Sequence, residues 1–193
     1  MKEDILVVEA RHLEPFITGK PGLKEANESI LYEIIETKGL FKERETVEQD
    51  PVYKQIIPYI AMVSKKGEIL TLKRLTTQSE KRLHNKTSLG VGGHVNSEDS
   101  KTPLKAFKNG MQREIDEEVN VQLKEKPEFL GVIYDHSTQV GQVHLGMAYK
   151  VAVDFYGINE KEKFEHTWKK PEDLKKEIEH MENWSKYILT KLL

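Results

Sequence analysis

From Leu89 to Val121 the chain sets a glycine pair, a polar loop and an amphipathic helix in succession, and the rest of the chain is organised around that order. Ser88 to Val91 reads as a short strand leading into Gly92-Gly93. Two residues without side chains let a ligand or a metal approach the backbone closely. Thr102-Pro103 marks the helix start, because threonine caps a helix and proline suits its first position. At roughly 100° per residue, Leu104, Phe107, Met111, Ile115 and Val119 gather into one stripe for the core. Glu114, Glu117 and Glu118 fall beside that stripe, since carboxylates at i, i+3 and i+4 share one side of a helix. Gly110 lies in the same sector. A glycine there costs about 1 kcal/mol against alanine and is expected to leave room for a ligand. Clustered carboxylates are costly without a positive charge among them, and a hard divalent cation such as Mg²⁺ prefers oxygen ligands. The competing reading is a solvated acidic face, with Arg113 paired to Glu117 one turn on.

Composition narrows the alternatives. Lys plus Arg is 30 and Asp plus Glu is 32 over 193 residues, so the chain lacks the basic surface of a dedicated nucleic-acid binder. There is no cysteine, which excludes disulfides, thiolate nucleophiles and Cys-based zinc sites. No His-x-His or His-Glu-x-x-His spacing occurs, so zinc is not expected. No apolar run is long enough to span a membrane and no signal-peptide pattern is present, so the expected location is the cytoplasm.

Along the chain, Ile5 to Val8 reads as a strand, Gly19 to Gly22 as a turn, and Lys24 to Lys38 as a helix carrying Ile30, Leu31, Ile34 and Ile35. Phe41 to Tyr53 is charged and irregular. Residues 1–53 are therefore expected to form an N-terminal extension packed on a core domain of residues 54–193. Gln55 to Ser64 is a strand whose early part Pro58 should place at an edge or bulge. It turns at Lys65-Lys66-Gly67 into a returning strand, Glu68 to Lys73. Thr76 to Lys86 is a polar loop holding Arg82. Phe129 to Asp135 and Val143 to Val153 are further strands, joined by a polar loop. Asn159 to Lys170 is a charged loop. Pro171 to Leu193 carries one helical stripe, Leu174, Ile178, Met181, Trp184, Ile188 and Leu192. The expected class is α/β with a mixed sheet.

Arg113-Glu114-Ile115-Asp116-Glu117-Glu118-Val119-Asn120-Val121 resembles the second half of the Nudix box, G-x5-E-x7-R-E-U-x-E-E-x-G-U, with U bulky and aliphatic. Gly92-Gly93-His94 resembles its opening. The likeness covers about Gln55 to Leu193 and implies a Nudix-type α/β/α sandwich with a mixed sheet, to which residues 1–53 add an N-terminal α/β extension that the general family does not explain. Arg113 lies 20 positions after Gly93 where the family has 14, so the loop is about six residues longer. The acid expected eight positions before Arg113, its usual brace, is Lys105. Glu98 in the longer loop is the candidate substitute. The terminal box glycine is Asn120, which tolerates a left-handed backbone next best.

The resemblance implies hydrolysis of a diphosphate linkage in a nucleoside diphosphate derivative or related small molecule. Glu114, Glu117 and Glu118 would bind Mg²⁺ (or Mn²⁺), with the Gly93 carbonyl as a further ligand. Arg113 would orient the carboxylates. Arg74, Arg82 and His94 are the candidate substrate contacts, His94 equally readable as a loop histidine with a structural partner. The general base is a box glutamate or one of Glu160, Glu162 and Glu165, and Asp135-His136 forms another polar pair. His144 reads as a core or pocket residue. A homodimer is expected. The alternative from another class is a non-catalytic Nudix-like domain that binds a nucleotide or a partner, motivated by Lys105 and the long loop.

Overall fold

The computed structural model describes residues 3–75 and 86–193. In chain order the strands and helices are β1 (Asp4–Glu9), β2 (Gly22–Lys24), α1 (Glu28–Lys38), β3 (Leu40–Glu43), α2 (Arg44–Val47), β4 (Tyr53–Val63), β5 (Ile69–Arg74), β6 (Thr87–Ser88), α3 (Pro103–Glu118), β7 (Val119–Leu123), β8 (Glu128–Tyr134), α4 (Gln139–Val143), β9 (His144–Ile158), β10 (Phe164–Lys169), α5 (Pro171–Lys176) and α6 (Asn183–Leu192). The class is α/β and the pairing is mixed: the ladders are antiparallel, and an isolated bridge between Thr87 and Met181 is parallel. The chain divides into two compact units, one of Met1–Tyr59, Gly92–Arg113 and Gly131–Ala148, the other of Ile60–Val91, Glu114–Leu130 and Tyr149–Leu193.

In the first unit β1 is the central strand. Ile5, Leu6, Val7 and Val8 are all buried, which explains why the strand reads as an unbroken apolar run instead of an alternating one. β1 pairs with β3 and, at its end, with the start of β4. The Leu6 amide also donates to the Val95 carbonyl at 2.8 Å, and the Ser97 amide to the Asp4 carbonyl at 2.9 Å. The N-terminal strand is thus stitched to the residues that follow the glycine pair. Val47 of α2 packs with Ile5 and Val7, and Tyr53 covers them. Each such fully buried aliphatic contributes about 1.5–3 kcal/mol. α1 starts four residues later than periodicity suggests, because the Asn27 side chain caps it by accepting from Ser29 and Ile30. Lys24 instead closes β2, which pairs with β8. The segment after Phe41, read as irregular, contains the end of β3 and the short α2.

In the second unit the end of β4 turns through Gly67 (φ 76°) into β5. β5 pairs with β10 along its whole length, Arg74 opposite Phe164 through Ile69 opposite Lys169. The charged segment expected to be a loop is therefore half strand. Its one buried residue, Phe164, is too little for a visible alternation. β7, unannounced in the expectation, pairs with β9 across a bulge at Asn120/Val121. The C-terminal helix is broken into α5, a 3-10 turn at Ile178–His180, and α6. The break is tertiary: Met181 bridges Thr87, and the Glu182 amide donates to the Thr87 carbonyl at 3.1 Å.

Candidate functional site

α3 is built as its sequence dictates. The Ala106 amide donates to the Thr102 carbonyl at 2.8 Å, and Glu36 from α1 accepts from the Leu104 amide at 3.2 Å, placing a carboxylate at the positive helix end. Phe107 and Ile115 are buried, as their stripe requires. The division between units falls inside this helix, between Arg113 and Glu114.

Within the first unit, the loop that departs from the family spacing folds around Asp99. Asp99 takes Arg113 in a two-pronged grip, Nε to Oδ1 at 2.8 Å and Nη2 to Oδ2 at 3.1 Å. The Arg113 Nη2 also donates to the His94 carbonyl at 2.7 Å. Asp99 Oδ2 accepts from the Asn96 amide at 2.8 Å, and the Asp99 carbonyl accepts from Asn109 Nδ2 at 2.8 Å. The carboxylate is only 6% exposed, against 28% for Arg113, so the pair is far better shielded than a surface ion pair. The acid missing at Lys105 is thus supplied by the extra loop, from Asp99 and not from the exposed Glu98. Gly110 has the complementary role. A Cβ there would stand 2.8 Å from Asp99 Oδ2 and 3.2 Å from Val95, so the space it leaves is filled by this loop instead of a ligand. Gly92 is similar: a Cβ would lie 1.9 Å from the Pro58 carbonyl oxygen, so strand β4 makes the close approach. Pro58 itself is buried mid-strand, after the β1 ladder ends at Gln55.

His94 is enclosed by polar groups. Its Nε2 lies 2.8 Å from Gln55 Oε1 and 3.3 Å from His144 Nε2. His144 Nδ1 lies 2.6 Å from the Val140 carbonyl. A carbonyl can only accept, so His144 carries a proton on Nδ1, and in the neutral imidazole this leaves a lone pair at Nε2. Burial pushes the His94 imidazole down to about 3, with Arg44, His144 and Arg113 adding to the effect. In the unfolded chain a histidine titrates near about 6.5, so the unfolded state takes up this proton first. Stability is complete above that value and falls as pH drops toward 3. Urea unfolding should show wild type losing up to about 1.4 kcal/mol per pH unit between pH 6 and 4 from this residue. His94→Gln should flatten that slope, and equal slopes would refute the assignment.

Within the second unit, Glu114, Glu117 and Glu118 occupy the last turns of α3, with Glu117 exposed and the other two half-buried. No basic residue lies in the last turn, where the helix dipole is negative. The Asn159 amide donates to the Glu118 carbonyl at 2.8 Å and Asn159 Nδ2 to the Asp116 carbonyl at 2.8 Å, which fixes the helix end. Among the described residues no three His, Asp or Glu side chains form a ready metal cage. Mg²⁺ does not need one, because it keeps several waters and uses one or two carboxylates. The donor set therefore fits such a cation in chemistry and charge. Arg74 ends β5. Arg82 lies outside the described residues, and Gly93 belongs to the first unit. Glu160 pairs with Lys163 and closes the turn before β10, while Glu162 and Glu165 are exposed. In the first unit Asp135 is spent on Ser137, accepting from its amide at 2.9 Å.

No protein-family model matches the chain. It is 33% identical to protein YmaB of Bacillus subtilis (strain 168) over 154 residues, 76% of this chain and 74% of that one. Its structure is similar to the crystal structure of Tm1382, named as a candidate Nudix hydrolase, with 38% identity, a TM-score of 0.88, and coverage of 99% of this chain and 98% of that one. DR0079 from Deinococcus radiodurans shares the fold at 16% identity and a TM-score of 0.54, over 90% of this chain and 97% of that one. No helix among the described residues is long and apolar enough to cross a membrane.

Proposed function

We propose, for a chain that belongs to the Nudix hydrolase family, that it is a Mg²⁺-dependent hydrolase of a diphosphate linkage in a small molecule of the nucleoside diphosphate class. The observation that carries this reading is the glutamate triplet at the end of α3. Three acids at i, i+3 and i+4 sit together at the negative end of a helix, and a hard divalent cation is the partner that such a set of oxygens suits best. A domain that only binds a nucleotide has no need of such a cluster.

In this reading Glu114, Glu117 and Glu118 hold the cation. Bound there, a divalent metal neutralises the diphosphate and activates a water. Asn159 keeps the helix end from fraying, so the three carboxylates stay on one side of its last turns. Arg74 and Arg82 are assigned to the phosphates, since a guanidinium grips phosphate with two parallel bonds. His94 leaves that set, because its Nε2 already faces Gln55 and His144. Arg113 braces the loop through Asp99 and the His94 carbonyl instead of touching substrate.

The test is a panel of nucleoside diphosphates and triphosphates, dinucleotides and sugar nucleotides, read by phosphate or nucleotide release with Mg²⁺ or Mn²⁺. At least one should turn over only with metal. Tight binding of a nucleotide with no turnover across the panel would favour the binding domain instead.

A further inference from the structure

We infer that His94, His144 and Gln55 form a second cation site, for a divalent ion of the zinc class (Zn²⁺, Co²⁺ or Ni²⁺). All three residues belong to the first unit, and the site is independent of the hydrolase reading.

The geometry is that of a chelate. Two nitrogens, each about 2.0–2.1 Å from a tetrahedral metal, stand roughly 3.3–3.4 Å apart. His94 Nε2 and His144 Nε2 are 3.3 Å apart. A direct hydrogen bond between them would settle nearer about 3.0 Å. The rings are tilted at 59° with centroids 5.5 Å apart, so they converge at their nitrogens instead of stacking.

Each donor is already prepared. His144 Nδ1 donates to the Val140 carbonyl, the outer bond that metal-bound histidines usually make, and this leaves its Nε2 lone pair facing His94. His94 Nε2 stands between the other two donors, 2.8 Å from Gln55 Oε1 and 3.3 Å from His144 Nε2. Gln55 is wholly buried, with Oε1 2.8 Å from His94 Nε2. Its Nε2 has no hydrogen-bond partner among the described residues. Leaving a buried donor unmade costs about 1–3 kcal/mol. The oxygen, not the NH₂ group, is the end turned toward His94, which is the orientation a ligating amide needs. On loading, His94 moves its proton to Nδ1, and Gln55 Oε1 opens from its 2.8 Å contact to tetrahedral spacing and becomes the third ligand.

The donor set also selects the metal. Two imidazoles and a neutral amide suit borderline ions, while Mg²⁺ and Ca²⁺ prefer charged oxygens. The nearby guanidiniums are compensated, Arg44 by Glu3 and Glu48 at 2.9 Å and Arg113 by Asp99. A cation here would fasten β4, the segment after the glycine pair, and the start of β9. Sequence spacing hides it, because its ligands are 39 and 50 residues apart.

The experiment uses the metal-stripped full chain in excess Mg²⁺, titrated with Zn²⁺ and followed by imidazole nitrogen NMR. One Zn²⁺ should bind per chain, and among the 7 histidines only His94 and His144 should shift. Co²⁺ should give the intense visible bands of a tetrahedral site. His144→Ala should lower Zn²⁺ affinity by more than the roughly 10–100-fold that outer-partner losses cost. The wild-type NMR signal needs no variant to fold. Absence of Zn²⁺ binding, shifts at other histidines, or unchanged affinity in His144→Ala would each overturn the site and leave the hydrolase reading untouched.

Discussion

Exchanging Glu118 for Gln should lower metal-dependent turnover by about 10³-fold while leaving the fold intact. A metal ion supplies several kcal/mol of charge stabilisation in the transition state, and each 1.36 kcal/mol is about one decade in rate. Losing one carboxylate should forfeit about 4 kcal/mol of that. The backbone consequence is small, because the Asn159 amide bonds the Glu118 carbonyl and not its side chain. Stability gives an independent signature. Glu118 is half-buried beside two other acids, and the Lys163 charge feels it, so opposing effects should keep the change in stability of the metal-free chain within about 1 kcal/mol. Thermal unfolding without metal and kinetics with Mg²⁺ together decide the matter. Lost turnover with a little-changed melting point supports the metal-ligand role. Retained turnover removes Glu118 from the site.

Much of this was legible in the chain itself. α3 announces itself because a proline start, a 3.6-residue apolar stripe and three acids agree at one place. β1 and the β4–β5 hairpin are visible for the same reason: local pattern and burial coincide. β7 carries an alternation, Val119, Val121 and Leu123 against Asn120 and Gln122, which the preceding helix pattern masked. β10 and the break before α6 were not legible. One is held by its ladder to β5 and the other by the Thr87 bridge, and neither partner is near in sequence. The loop after the glycine pair failed for a different reason. Its length shows that something extra is present, but only the turn at Asn96–Asp99, closed by the Asp99 amide on the Asn96 carbonyl at 3.0 Å, chooses Asp99 over Glu98. The His94–His144 approach is a purely tertiary fact.

Replacing Asp99 by Ala should destabilise the protein by about 2–4 kcal/mol, the largest effect expected of any single change in the loop. Removing one partner of a fully buried pair costs about 3–5 kcal/mol, and an exposed pair is worth about 0–1. With Asp99 nearly covered and Arg113 about a quarter exposed, the pair lies nearer the first case. The loss also strands the Asn96 amide, which bonds the same carboxylate. Two further variants separate this brace from general loop damage. Lys105→Glu restores the acid at the position where the family pattern has it. Because Lys105 is exposed and Arg113 is already gripped, it should change stability by less than about 0.5 kcal/mol alone, and it should not rescue Asp99→Ala. Gly110→Ala should destabilise in the same direction as Asp99→Ala, since its methyl would stand 2.8 Å from Asp99 Oδ2 and push the carboxylate off the arginine. Combined with Asp99→Ala, which removes the atom it collides with, the glycine change should cost measurably less than it does alone. Chemical unfolding of the two single variants and the double variant reads that coupling directly. Strict additivity would mean that Gly110 and Asp99 act separately, and that the long loop braces Arg113 by some means other than the fit between them.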